Sequence, residues 1–480
     1  MPRSQTPPTA LSDGPARTGA APGAIPLLGH AWQLRTRPLE FLASLPAHGD
    51  LVEIRIGPTP AYVVCEPGLL RQVLADSRTF DKGGPFFDKA RALFGDSLAM
   101  ARWAEHRWQR RRMQPAFHPS RLAEYAEVMG GEIARMTAAW RPGRVVGIVD
   151  ELNTLALRIV TRSVLSAEAE DRAVAVFQRS LPVAVEGVYR RTVTPVPLLH
   201  SLPTPGNLAY RRAVSRLRRV TEAAVAERRG TGSGGIGSGG ESGRGGLLPL
   251  LLAARRGDGP GDGPGDGGHG EPLTDADIRD QLIVTIGAGS DTTANALAFA
   301  YWLLSRHPEA ERRLHAEVDE VLRGRPAHFD DLDSLPHTRS VVTEVLRLYP
   351  PGWFFTRVTT AATELAGRRL RPGTTVLYSP YVLHRNPGLF PEPERFDPDR
   401  WRPERERETP RGALVPFGGG SRKCIGEHFA LTEMVLALAG ISARWRLRPL
   451  RGTTLSPRPL GTLGPGPLRM VPEPRTDAPS

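Results

Sequence analysis

The stretch Pro416-Phe417-Gly418-Gly419-Gly420-Ser421-Arg422-Lys423-Cys424-Ile425-Gly426 decides the fold, and it feeds a helix-patterned run, EHFALTEMVLAL, from Glu427. Three consecutive glycines let backbone N–H groups come close to a sulfur. The cysteine lies just before a helix start and beside Arg422 and Lys423, so the positive dipole end and two cations favour its thiolate, the form that binds metals. A free cysteine in isolation is more often a buried packing residue, and Cys65 is read that way. The setting of Cys424 reverses that reading.

Around this loop, 480 residues of 40% hydrophobic composition are enough to bury a sizeable core. The formal charge of +12 would suit nucleic acid, an anionic membrane or an acidic protein partner. Only Lys82, Lys89 and Lys423 are lysines among the 63 basic residues, which points to coding bias rather than a phosphate-binding surface, so no nucleic-acid partner is expected. Two cysteines are too few for a disulfide framework and indicate a reducing, cytoplasmic setting. No apolar run approaches the ~20 residues of a membrane span, so neither a signal peptide nor a membrane anchor is expected.

Residues 1–21, rich in Pro, Ala, Ser and Thr, read as a disordered tail, and residues 22–474 as a single domain. Leu51–Ile56 and Ala61–Val64 are β-prone runs around Gly57-Pro58, a hairpin signature. From about 105 to 229 the spacing is helical, interrupted by the prolines of 194–207. Glycine-rich surface insertions occupy 230–246 and 257–272 and bracket a short apolar helix. The first contains Gly230-x-Gly232-x-x-Gly235, but no strand precedes it and no helix opens on it, so a dinucleotide site is not read there. Past Thr274, a candidate N-cap, a helical pattern runs to about Ser305.

That long helix carries Ala288-Gly289-Ser290-Asp291-Thr292-Thr293. A mid-helix glycine, with a threonine able to bond back one turn, predicts a local bulge with room for a small ligand. Asp291 beside the Thr292 hydroxyl is an acid–alcohol pair suited to relaying protons from solvent. Alone, the two would more often be a solvated charge and a helix-facing hydroxyl. Glu344-x-x-Arg347 places opposite charges on one helix face, and His106-x-x-x-Arg110 stands at i,i+4.

Phe417 to Gly426 matches the haem-binding signature of the cytochrome P450 family, F-x-x-G-x-R-x-C-x-G, at every fixed position, and the chain resembles that family from about Pro26 to Pro472. The resemblance implies a mainly α fold with smaller β-sheets (α+β), a long central helix over haem b, and Cys424 as the axial iron ligand. It implies Asp291 and Thr292 as the oxygen-activation pair. His106, Arg110, Arg357 and Arg422 become the propionate-binding set, with Arg112 competing for the place of Arg110. Glu344, Arg347 and Arg395, the last in Pro393-Glu394-Arg395-Phe396, become a structural triad.

With no flavin, nicotinamide or iron–sulfur motif in the chain, electrons from NAD(P)H are expected through a ferredoxin and its reductase, an acidic ferredoxin approaching the basic Cys424 face. Thiolate ligation favours O–O cleavage and mono-oxygenation with O2. Phe86, Phe87, Val185, Ala288 and Phe354 are expected to line an apolar pocket for a hydrophobic small molecule. GVYRRTVTPVPLL, YSPYVLHRNP and PGAIPLLGHAW resemble actinobacterial sesquiterpene-oxidising members, implying a hydrocarbon such as pentalenene, oxidised stepwise to alcohol and aldehyde. Two rivals are a fatty-acid peroxygenase on the same fold, which lacks the acid–threonine pair, and a non-catalytic haem-binding domain that recruits partners.

Overall fold

The computed structural model describes residues 16–165, 167–193, 197–231, 246–255 and 273–475. Within the chain two compact units can be described: residues to Gly84 with Leu346–Cys424, and Pro85–Val345 with Ile425 onward. The split follows the chemistry of the segments. Alternating runs pair into a sheet that closes a core of its own, and amphipathic helices bury their faces on one another.

The first unit is built on a six-stranded sheet in the order Thr18–Ala20, Leu51–Ile56, Thr59–Val64, Thr375–Tyr378, Phe355–Thr359, Phe80–Asp81. The expected hairpin forms with Ile56 opposite Thr59, and Gly57 at φ +61° takes the left-handed turn conformation that a glycine adopts without strain. Its partner on the other side, Thr375–Tyr378, is parallel, Val64 facing Tyr378. Thr18–Ala20 lies inside the tail expected to be disordered, yet it pairs in parallel with Leu51–Ile56. Backbone pairing orders it, not apolar burial: a Cβ on Gly19 would stand 1.9 Å from His48 O, so the strand lies where only glycine fits. Residues 1–15 are outside the described range. Leu51, Leu70, Val73, Phe80, Val376 and Tyr378 form the core beneath the sheet.

The second unit is helical, with Trp103–Met113, Pro119–Ala139, Ile148–Val164, Ala167–Val193 and Pro205–Thr231 where the periodicity placed helices. Leu247–Arg255 is the short apolar helix; the first glycine-rich insertion, apart from its ends, and all of the second lie outside the described residues. The long helix runs Asp275–Arg306, about 48 Å at 1.5 Å per residue. Thr274 caps it as expected, its hydroxyl accepting from Asp277 N (3.1 Å) while Thr274 N donates to Asp277 Oδ2 (2.8 Å). It is buried nearly all round, packed against Ile148–Val164, Pro205–Thr231 and Glu427–Ser442. The helix stays α throughout, so the bulge expected at Gly289 does not form. Gly289 instead lets Ile148–Val164 come close: a Cβ there would meet Val160 Cγ2 at 2.9 Å.

Candidate active site

In the first unit the Gly418–Gly420 loop folds onto the helix Pro67–Ala75. Gly420, at φ +64°, lies so close that a Cβ would stand 2.1 Å from Leu74 O. Cys424 N donates to Phe417 O (2.9 Å), which closes the loop, and the Ser421 and Ser77 hydroxyls share a hydrogen bond of 2.6 Å. Cys424 is exposed, whereas Cys65 is buried, its thiol pushed up to about 12 by burial and then by Asp50. The two cysteines thus differ as their contexts imply: one is accessible, the other an inert packing residue.

Arg422, buried, forms an ion pair with Asp81. Arg357, on the strand Phe355–Thr359, is 4% exposed; its Nη1 donates to Thr356 O (2.9 Å) and its Nη2 to Tyr378 Oη (3.4 Å). A residue that sequence reasoning passed over, Lys82, joins them. Burial, then Arg422 and Arg357, pull its ammonium well below the usual range, against the opposite pull of Asp81 and Cys424. Three cations gathered around one carboxylate make a site with excess positive charge.

Arg347 donates to three carbonyls: Nη1 to His384 O (2.9 Å) and Pro393 O (2.7 Å), Nη2 to Arg395 O (3.0 Å). The expected triad therefore changes, because Arg395 contributes its backbone oxygen while its exposed guanidinium pairs with Glu392 at 3.0 Å. Neutral carbonyls satisfy a buried arginine without bringing a second cation against it. Glu344 is likewise fully buried. His384, also missed, donates from Nδ1 to Arg347 O (3.1 Å) and accepts at Nε2 from Val415 N (2.9 Å); burial drives it down to about 3.

In the second unit His106 is buried and Arg110, one turn on, is half-buried. Arg112 stacks over the Trp108 ring at 4.7 Å, so Arg110 is the one on the face of His106. On the long helix a stripe of accessible residues, Thr285, Ala288, Gly289, Asp291 and Thr292, interrupts the burial. Thr292 Oγ1 donates to Ala288 O at 2.7 Å, the back-bond the sequence predicted. Asp291 Oδ2 accepts from the hydroxyl of Thr462, whose Oγ1 also accepts from Asn295 Nδ2 at 3.2 Å. The expected acid–alcohol pair is thus not hydrogen-bonded to itself, each member being held by another group. Burial raises the Asp291 carboxyl above the usual range, and the Thr462 and Asn295 hydrogen bonds oppose that.

Of the expected pocket wall, Phe87 belongs to the core, its ring edge-on to Phe86 at 5.5 Å, and Phe86 and Val185 pack half-buried on the same cluster. Ala288 is exposed on the long helix. Phe354, in the first unit, lies tilted on Trp353 at 4.9 Å.

A family model, Cytochrome P450, matches residues 20–470. The chain belongs to the cytochrome P450 family. This P450 is 49% identical to cyclooctat-9-en-7-ol 5-monooxygenase of Streptomyces melanosporofaciens over 97% of both chains. It is 43% identical to pentalenene oxygenase of Streptomyces avermitilis, over 93% of this chain and 94% of that one. The crystal structure of the cytochrome P450DA heme domain superposes with a TM-score of 0.82 at 26% identity, covering 96% of this P450 and 98% of that chain. The fold is therefore the mainly helical P450 fold with small sheets, and the protein is a P450 monooxygenase related to terpene hydroxylases. Its cofactor is haem b, with electrons from NAD(P)H through partner proteins. The side chains fit that group, since an accessible thiol is present and Lys82, Arg357 and Arg422 offer excess positive charge to an anionic ligand with two carboxylates. No helix among the described residues is long and apolar enough to cross a membrane.

Proposed function

We propose that this P450 hydroxylates an apolar cyclic terpene, with Cys424 as the iron ligand and Lys82, Arg357, Arg422, His106 and Arg110 receiving the propionates. The observation that carries the substrate class is the 49% identity, end to end, with an oxygenase of a cyclic alkene alcohol. The half-buried, uncharged Phe86 and Val185 support it, because a wall without an unpaired charge favours an apolar ligand. When bound, the haem supplies O2 activation and insertion of one oxygen atom into a C–H bond. The chain's own part is to hold the group through thiolate and cations, and to carry protons inward through Asp291 and Thr292. A ferredoxin and its reductase, in the cytoplasm, complete the system, with the basic face over Cys424 drawing an acidic partner. Pentalenene remains the sesquiterpene of first choice, with cyclooctat-9-en-7-ol beside it.

Three measurements test this reading. Titration of the ferric protein with each terpene is expected to move the Soret band from the low-spin to the high-spin position; a haem-loaded protein indifferent to both removes the substrate class. Oxidation is expected with NADPH, ferredoxin and reductase, and turnover with hydrogen peroxide alone but not with that system would make the protein a peroxygenase. Cys424→Ser is expected to abolish the thiolate-type carbon monoxide spectrum of the reduced protein, and its survival would displace Cys424 as ligand.

A further inference from the structure

A two-stranded hairpin, Arg458–Pro459 with Leu463–Gly464, carries Leu460, Gly461 and Thr462 at its tip. The tip touches two helices of the same unit. Gly461 lies against Val185, where a Cβ would stand 2.6 Å from Val185 Cγ1. Gly464 lies against the long helix, where a Cβ would stand 3.0 Å from Asn295 Oδ1. Between them, fully buried Leu463 anchors the hairpin, and the Thr462 hydroxyl donates to Asp291 while accepting from Asn295. A hydroxyl has one proton to give, so this one is committed to Asp291.

We infer that Thr462 is a positioning residue, a latch that holds the Asp291 carboxyl toward the hairpin and links its release toward Thr292 to pressure on the Val185 side of the hairpin tip. The inference rests on the proton-carrying role proposed for Asp291. It follows from two facts: Asp291 and Thr292 are adjacent yet bonded elsewhere, and the hairpin that holds the acid also abuts a residue of the proposed substrate wall. A substrate seated against Val185 pushes on a tip that has no side chain to yield at Gly461, so displacement passes to Thr462. The carboxyl then exchanges a strong, charge-assisted hydrogen bond for freedom to turn.

Thr462→Val keeps the shape and removes the hydroxyl, and Thr462→Ser restores it. In the haem-loaded enzyme with its terpene, Thr462→Val is expected to lower product formed per NADPH by about tenfold, with an altered solvent deuterium isotope effect, and Thr462→Ser to recover most of it. A second readout needs no turnover. Asp291 is neutral more readily in the folded chain than in the unfolded one, so its contribution to stability is present at low pH and lost as pH rises through its folded value. Losing the Thr462 hydrogen bond extends that loss to higher pH. The gap in Tm between Thr462→Val and Thr462→Ser should therefore widen with pH, and should stop doing so in an Asp291→Asn background. A gap that does not change with pH, or one that still widens with pH in the Asp291→Asn background, overturns the latch. If Asp291→Asn leaves product per NADPH unchanged, the proton-carrying role fails with it. If Asp291→Asn uncouples the enzyme while Thr462→Val does not, the role stands and the latch alone falls. Thr462→Ala carries the same comparison should the valine variant lose haem.

Discussion

Lys82 shows what a single side chain adds to a motif. It follows Asp81, the partner of Arg422, and the two arginines that depress it come from far along the chain. In the haem-free protein a cation held below its usual range is a liability, because folding brings it beside two like charges away from water. In the proposed site, an anionic ligand would turn the same charge into a donor. Lys82→Met is therefore expected to have opposite signs in the two states: a higher Tm for the haem-free protein, and haem binding weaker by about tenfold or more, from loss of a charged hydrogen bond of about 1.5–3 kcal/mol. Equal effects in both states, measured by thermal melts and haem transfer to an acceptor protein, would remove Lys82 from the propionate set. Cys424, Arg422 and His106 were singled out as candidates because motif spacing is local and chemically specific. Lys82, Thr462 and Asn295 were not, since each gains its meaning from a partner that only the fold brings near.

Among the elements, the long helix was legible in its cap, length and back-bonded Thr292, and illegible at Gly289. Sequence offers two reasons for a mid-helix glycine, a distorted helix or a close neighbour, and nothing local separates them. Packing against Val160 decides for the neighbour. Gly289→Ala gains about 1 kcal/mol of helix propensity but forces a Cβ against a β-branched side chain with little rotamer freedom, at a cost of about 1–3 kcal/mol. A net loss of up to about 2 kcal/mol follows, and Val160→Ala in the same chain should recover part of it. A double-mutant cycle checks this, with additive losses ruling out the packing role. The Arg395 turn shows the same limit from the other side. Motif spacing placed that residue at the buried arginine, but could not tell whether its side chain or its carbonyl faces Arg347.

Across the whole molecule, buried titratable groups set how stability varies with pH, and they act in opposite directions. His384 and His315 are held near 3 and 4 by burial, against 6.5 when unfolded, so the unfolded chain takes up their protons first and stability falls as pH drops below 6.5. Glu433, on the helix Glu427–Ser442, has both carboxyl oxygens buried without a hydrogen-bond partner, and burial raises it well above its usual 4.5. Its contribution is present below 4.5 and is lost as pH climbs through its folded value. From 4.5 to 6.5 the two histidines therefore pull stability up with pH, and Glu433 pulls it down from 4.5 until it ionises in the folded chain. Above 6.5 the histidines no longer contribute, and the share of Glu433 ends where it ionises in the folded chain. Replacing it isolates its share. Relative to wild type, Glu433→Gln should become progressively more stable above pH 4.5, by about 1.4 kcal/mol per pH unit for the one proton involved, and should level off once Glu433 ionises in the folded wild type. Thermal melts of the two proteins across pH measure that difference directly, and a constant offset would mean that Glu433 keeps an ordinary carboxylate inside the helix packing.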